Sequence, residues 1–276
     1  GRHPVQARCV QLARMGCMVF LYDMLGYADG GSFTQSLAHG FSKQRPELSS
    51  SETWGMFSAQ SELRSWNVLG LQTWNSIRIV DWLASRSDCD TTRIAVTGSS
   101  GGGTQTFMLA ALDERIVAAF PAVMVSTAMQ GGCTCENASY LRVNTGNIEM
   151  AALIAPRPIS MSGADDWTVE IETKGLPELQ KHYAMLGAPD NVHAKYFNYP
   201  HNFNQHSRMM MYRFFNETLK LGFDEIVERD FVPLTVEEAT VFDAEHLAPE
   251  KSEETEVAIL HTIDAAQQKQ IAALAP

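Results

Sequence analysis

The stretch Arg93-Ile94-Ala95-Val96-Thr97-Gly98-Ser99-Ser100-Gly101-Gly102-Gly103-Thr104 constrains this chain more than any other: a β-branched run ends in Gly-x-Ser-x-Gly, and a helix-compatible segment follows. A sharp strand-to-helix turn lifts a serine hydroxyl out of the fold, where it meets both a base and a substrate carbonyl. The turn strains the serine backbone and crowds its neighbours, so glycine is expected at the flanking positions, here Gly98 and Gly101. Ser100 is the candidate nucleophile, because a frame centred on Ser99 would put Thr97 where the first glycine belongs. A phosphate-cradling loop is excluded: no Gly-Lys-Ser/Thr follows, and the Gly-x-Gly-x-x-Gly spacing is absent.

Around this turn, strand and helix patterns alternate. An apolar-periodic helix (Val5, Cys9, Leu12, Ala13) leads to a predicted strand over Cys17 to Tyr22 and a turn at Asp23 to Tyr27. From about 29 to 67 the chain is glycine- and serine-containing with scattered aromatics (Phe33, Phe41, Trp54, Phe57, Trp66) and no clear period, which reads as an insertion, lid or pocket wall. A helix is predicted over 69–85 from its single apolar stripe, and Thr104 to Leu112 reads as the helix behind Ser100. A buried strand follows over 116–125, interrupted at Pro121. A short helix at 148–155, a strand at 158–162, a helix at 176–186, a strand at 194–198 and an amphipathic helix at 207–219 complete the alternation. The predicted fold class is α/β, a mostly parallel sheet with right-handed crossovers and helices on both faces.

Residues 1–222 read as one catalytic domain, and the acidic, proline-containing segment 223–276 as a tail or small appendage. An α/β fold normally has more strands ahead of the first helix and strand seen here. The chain is therefore expected to be N-terminally truncated, and any targeting signal to lie in a longer precursor. The compartment is left open, with secretion or a periplasmic location following only if such a precursor carries a signal peptide.

A formal net charge of −11 without a basic stripe argues against nucleic-acid binding. The longest apolar runs, such as 116–125 and 150–155, fall far short of a membrane span. The five cysteines are odd in number and lack C-x-x-C spacing, so neither a disulfide framework nor a zinc site is indicated, and no cofactor is expected. Gly131-Gly132-Cys133-Thr134-Cys135-Glu136-Asn137 gathers two thiols, a carboxylate and an amide after two glycines. It reads as a loop near the active site, with Cys133 and Glu136 as candidate substrate contacts.

Two further reactive residues fall at predicted strand ends, in the order Ser, Asp, His. His201, after the last strand, is the candidate general base, with His206 as its substitute; His39 has no motif context. Asp165 and Asp166 both follow a strand, and Asp166 fits a Gly-x-x-Asp loop counted from Gly163, so it is preferred as the carboxylate that orients the His201 ring. Trp167 beside it either shields the acid or anchors the loop, and is a candidate substrate contact. The Gly101 amide supplies one oxyanion donor; the second would come from a loop after an earlier strand, at or before the start of this sequence.

With these residues in place the chain resembles the alpha/beta-hydrolase superfamily, and within it a bacterial group of acetyl xylan esterase-like hydrolases. The likeness rests on the segments 6–16, Tyr22-Asp23-Met24-Leu25-Gly26-Tyr27, 98–106, 131–137, Gly163-Ala164-Asp165-Asp166-Trp167-Thr168 and Pro200-His201-Asn202-Phe203-Asn204, and covers residues 1 to about 240. The resemblance implies a serine esterase using Ser100, His201 and Asp166 on a small-molecule or carbohydrate ester, acetyl esters foremost. Glucuronoyl or methyl esters are a close alternative, a prolyl-oligopeptidase-like peptidase a more distant one, and a non-catalytic scaffold belongs to a different class. The sequence is compatible with a homo-oligomer.

Overall fold

A computed structural model describes residues 4–27, 33–41, 44–128 and 131–274. In chain order its helices and strands are α1 (Pro4–Arg14), α2 (Gln35–Ala38), α3 (Ala59–Leu63), α4 (Val68–Ser85), β1 (Ile94–Ser99), α5 (Gly101–Leu112), β2 (Ile116–Ala122), α6 (Asn147–Ala152), β3 (Ile159–Gly163), α7 (Leu176–Met185), β4 (Val192–Tyr196), α8 (Gln205–Thr218), α9 (Val236–Ala239) and α10 (Glu253–Leu274).

The strands form a parallel sheet in the order β1-β2-β3-β4, so each crossover carries the chain to the neighbouring position. Both faces are covered, because alternate strand residues point to opposite sides. On one face Phe107 of α5, Ile154 beyond α6 and Leu179 and Tyr183 of α7 pack on Ile116, Ala119, Ile159 and Met161. On the other, Leu12 of α1 and Met211, Tyr212 and Phe215 of α8 pack on Ala118, Phe120 and Ala122. Local signals set the helix starts: the Asn67 side chain accepts from Gly70 N–H at 2.7 Å, and Asn204 caps α8 through Ser207 N–H at 3.1 Å.

Several elements differ from the sequence expectation. α5 begins at Gly101 rather than Thr104, so the glycine run forms the helix's first turn instead of a loop. β2 runs through Pro121 and ends where Val123 takes a left-handed φ of 48°. Ala119 and Val123 donate to the Pro158 and Ser162 carbonyls on the β3 side, so Pro121 faces the same way and this pair goes without one ladder bond. β4 starts two residues early, at Val192, whose side chain is the buried one.

Cys17 to Tyr22 forms neither helix nor strand and belongs to no ladder among the described residues. A cleft of about 510 Å³ separates it from β1, and without a partner strand its period-2 pattern cannot become sheet. Met18, Phe20 and Leu21 consequently stay exposed, with Phe20 resting on Trp82 at 5.2 Å between ring centroids.

The segment at about 29–67, of which 29–32 and 42–43 lie outside the described residues, contributes to a third core. Phe33, Trp54 and Met56 are buried there with Val68 and Leu71 of α4, Cys135, and Leu260 of α10. Polar bonds fix this packing: Arg45 meets Glu256 and Glu253 at 2.8 Å each, and Trp66 Nε1 donates to Asp264 at 3.1 Å. Ahead of α10, the segment after Gly222 runs along α1, where Arg14 donates to the Arg229 and Asp230 carbonyls.

Candidate active site

Ser100 stands between β1 and α5 with φ 56° and ψ −125°, a region that a side chain enters only at an energetic cost. The turn is tight enough to explain its glycines, but not in the expected pair. A Cβ on Gly98 would lie 2.3 Å from the Gly102 carbonyl oxygen, and one on Gly103 would lie 2.7 Å from Met124 Cβ. At Gly101 the nearest atom would be Glu136 Oε1, at 3.3 Å, so the steric demand falls on Gly98 and Gly103 rather than Gly98 and Gly101. The Gly101 amide sits in the first turn of α5, where N–H groups have no intrahelical acceptor and the helix dipole is positive.

The loops after β3 and β4 are fastened to each other by backbone bonds beyond the strands: Phe197 N–H donates to Gly163 O at 3.0 Å, and Asp165 N–H to Tyr199 O at 2.8 Å. This clasp brings Asp166 under the His201 ring, and Asp166 Oδ2 lies 2.6 Å from His201 Nδ1. Because a carboxylate only accepts, Nδ1 carries the proton and Nε2 is left as the acceptor of a neutral ring. The other oxygen, Oδ1, accepts from Thr168 N–H at 2.7 Å and Thr168 Oγ1 at 2.5 Å, so both oxygens of this buried carboxylate are engaged. Asp165 is exposed and pairs with no histidine among the described residues. His206 is turned away, stacked on Tyr199 at 5.1 Å with its Nε2 3.0 Å from the Tyr199 hydroxyl. No hydrogen bond joins Ser100 Oγ to His201 among the described residues; such contacts often tighten only when substrate is bound.

Trp167 lies against the His201 ring, with centroids 4.6 Å apart. Its backbone carbonyl accepts from the Ser126 hydroxyl, while its indole N–H is buried without an acceptor among the described residues. Glu136 is buried, and its Oε2 accepts from Gly132 N–H at 2.7 Å while Oε1 faces Gly101. Cys133 does not share this position; its sulfur lies with Cys135 and His39. His39, 94 residues away in sequence, has no local pattern that would have flagged it.

Burial pushes the Glu136 carboxyl above its ordinary value, and the Gly132 N–H and the nearby Arg142 charge only partly oppose this. A raised carboxyl adds stability that is complete below its unfolded value and is lost as pH rises through the folded one. Relative to wild type, Glu136→Gln should therefore gain stability as pH climbs through that window and gain nothing at acid pH. Urea unfolding at several pH values checks this, and a difference that is flat with pH would contradict it.

Comparisons with known proteins agree with this architecture. Residues 42–141 match a family described as glucuronyl esterase, fungi. The methylesterase BT1017 superposes with a TM-score of 0.71 and 29% identity, over 98% of this chain and 57% of that protein. A CE15 glucuronoyl esterase from Caldicellulosiruptor kristjansonii gives a TM-score of 0.46 and 17% identity, over 64% and 57% of the two chains. A candidate acetyl xylan esterase from Bacteroides fragilis gives 0.42 and 21%, over 50% and 39%. No curated protein matches the chain. The chain thus has an alpha/beta-hydrolase fold and spans little more than half the length of the methylesterase it resembles.

Proposed function

We propose that the chain carries a serine carboxylic-ester hydrolase acting on carbohydrate esters, with Ser100 as nucleophile, His201 as base, Asp166 as the carboxylate that orients it, and the Gly101 amide as an oxyanion donor. The observation that carries this reading is the Asp166–His201 pair at 2.6 Å, held beyond the carboxyl ends of β3 and β4 in the same parallel sheet whose β1 ends in a strained serine turn. His201 Nε2 takes the Ser100 proton as Oγ attacks the ester carbonyl. The tetrahedral oxyanion is held by Gly101 N–H, and the protonated ring then gives its proton to the departing alcohol. Water, deprotonated by the same ring, releases the acid from the acyl-serine.

Trp167 and Glu136 line the bound ester, the indole N–H offering a donor to a substrate oxygen. The likeness to a methylesterase and the partial glucuronyl esterase match favour esters of a sugar carboxylic acid over acetyl esters. Residues 1–222 form the catalytic unit in this reading, and the insertion at about 29–67 walls its pocket.

A fluorophosphonate probe, which reacts with an activated serine, should label the folded chain at Ser100. Methyl glucuronate, acetylated xylose and a short peptide ester then rank the substrate classes. An unlabelled but folded chain would instead favour a hydrolase-fold scaffold.

A further inference from the structure

The geometry points to a soft-metal site, suited to Zn²⁺, formed by Cys133 and Cys135 of the loop that carries Glu136, together with His39. The ligand atoms of these residues lie within 4.8 Å of one another, with the sulfurs 2.9 Å apart and Cys133 Sγ 3.9 Å from His39 Nδ1. Around a tetrahedral ion, with bonds of about 2.3 Å to sulfur and about 2.0 Å to nitrogen, the ligands would stand roughly 3.5 to 3.8 Å apart. To reach that arrangement the sulfurs part by about 0.9 Å and no ligand pair closes by more than about 1.3 Å.

The surroundings are those of a prepared ligand set. His39 Nε2 lies 2.8 Å from the Leu25 carbonyl, which can only accept, so Nε2 carries the hydrogen and the Nδ1 lone pair faces the thiols. Gly40 N–H donates to Cys133 Sγ at 3.0 Å, and Thr134 N–H returns a bond to Gly40 O at 2.8 Å, so the two strands of chain that supply ligands are already paired. Asn137 Nδ2 holds the Cys133 carbonyl at 2.7 Å, and Gln72 Nε2 the Cys135 carbonyl at 3.4 Å. Two thiolates and one imidazole favour Zn²⁺ over Ca²⁺ or Mg²⁺, and they leave a fourth position for water.

Binding is a simple exchange. Each cysteine S–H gives way to an S–Zn bond, two protons leave to solvent, and the neutral His39 ring binds through Nδ1 with no proton change. The two thiolate charges cancel that of the ion, so a half-buried site keeps no net charge. The ion would tie residues 38–40 to the loop that holds Glu136 opposite Gly101.

The test reads metal directly and does not depend on the esterase reading. The reduced chain, stripped with chelator, is loaded with Zn²⁺ and desalted. One zinc per chain is expected, and Co²⁺ in its place should give a thiolate charge-transfer band. Cys133→Ser and Cys135→Ser should each lose both signals with circular dichroism unchanged, and His39→Gln, at a half-exposed loop position, should weaken zinc retention without unfolding. No metal on the reduced, folded chain would overturn the proposal, as would a cobalt spectrum unaltered by the serine variants. A Cys133–Cys135 disulfide whose reduction confers no metal uptake would do the same.

Discussion

Ser100→Ala is expected to remove ester hydrolysis, with kcat falling on the order of 10⁵-fold, since the loss of a nucleophile in a serine hydrolase costs about as much as losing its whole triad. Alanine keeps the Cβ, so the turn meets the same backbone demand at φ 56°, and the Asp166–His201 pair, which Ser100 does not support, stays in place. Thermal stability should therefore match wild type, so that lost activity reads on chemistry alone. The neighbouring Ser99→Ala, at the free position of the motif, should keep most of the rate. Hydrolysis of p-nitrophenyl acetate and of a methyl glucuronate ester measures both variants. Activity of Ser100→Ala near the wild-type level would remove Ser100 from the mechanism.

Glu228→Ala is expected to cost about 3–5 kcal/mol of stability, because it leaves a buried guanidinium without its counter-charge. Arg208 is enclosed on α8, where its Nε and Nη2 each reach a Glu228 oxygen at 2.7 Å, and the Tyr212 hydroxyl donates to the same carboxylate at 3.0 Å. The third nitrogen, Nη1, donates to the Phe203 carbonyl at 2.9 Å, two residues beyond His201. Loss of Glu228 thus frees the segment after Gly222 and loosens the arginine that holds the His201 loop, so activity should become heat-labile before the fold is lost. Urea unfolding measures the first effect. The double variant Arg208→Met with Glu228→Leu should recover much of the loss, since it leaves no buried charge. A cost below about 1 kcal/mol for Glu228→Ala would mean that water reaches Arg208.

What the sequence disclosed was what local chemistry dictates. Gly98 before Ser100 is written into the strand-to-helix turn, and the loops bearing Asp166 and His201 follow apolar runs whose strand character needs no partner to be recognised. Pro121 argues for an interruption of β2, whereas the ladder forgoes one bond and the turn at Val123 ends the strand. Residues 17–22 have the alternation of a strand, but a ladder is a property of two segments, and β1 stands across a cleft. Glu136 was singled out by composition alone; its burial against Gly101 depends on how the 131–137 loop folds back. His39 carries no sequence signal because its partners are the sulfurs of Cys133 and Cys135, brought to it only by the pairing of Gly40 with Thr134.

The backbone at Ser100 has a consequence for how such a sequence drifts. A non-glycine residue held at φ 56° and ψ −125° costs about 1–3 kcal/mol, which glycine would largely recover. Under selection for stability alone, Ser100→Gly is thus a favourable step, and in the reading proposed above it silences the site at once. Serine at this turn is what selection for turnover would leave behind, a small thermodynamic debt that a purely structural descendant of the chain would be quick to discharge.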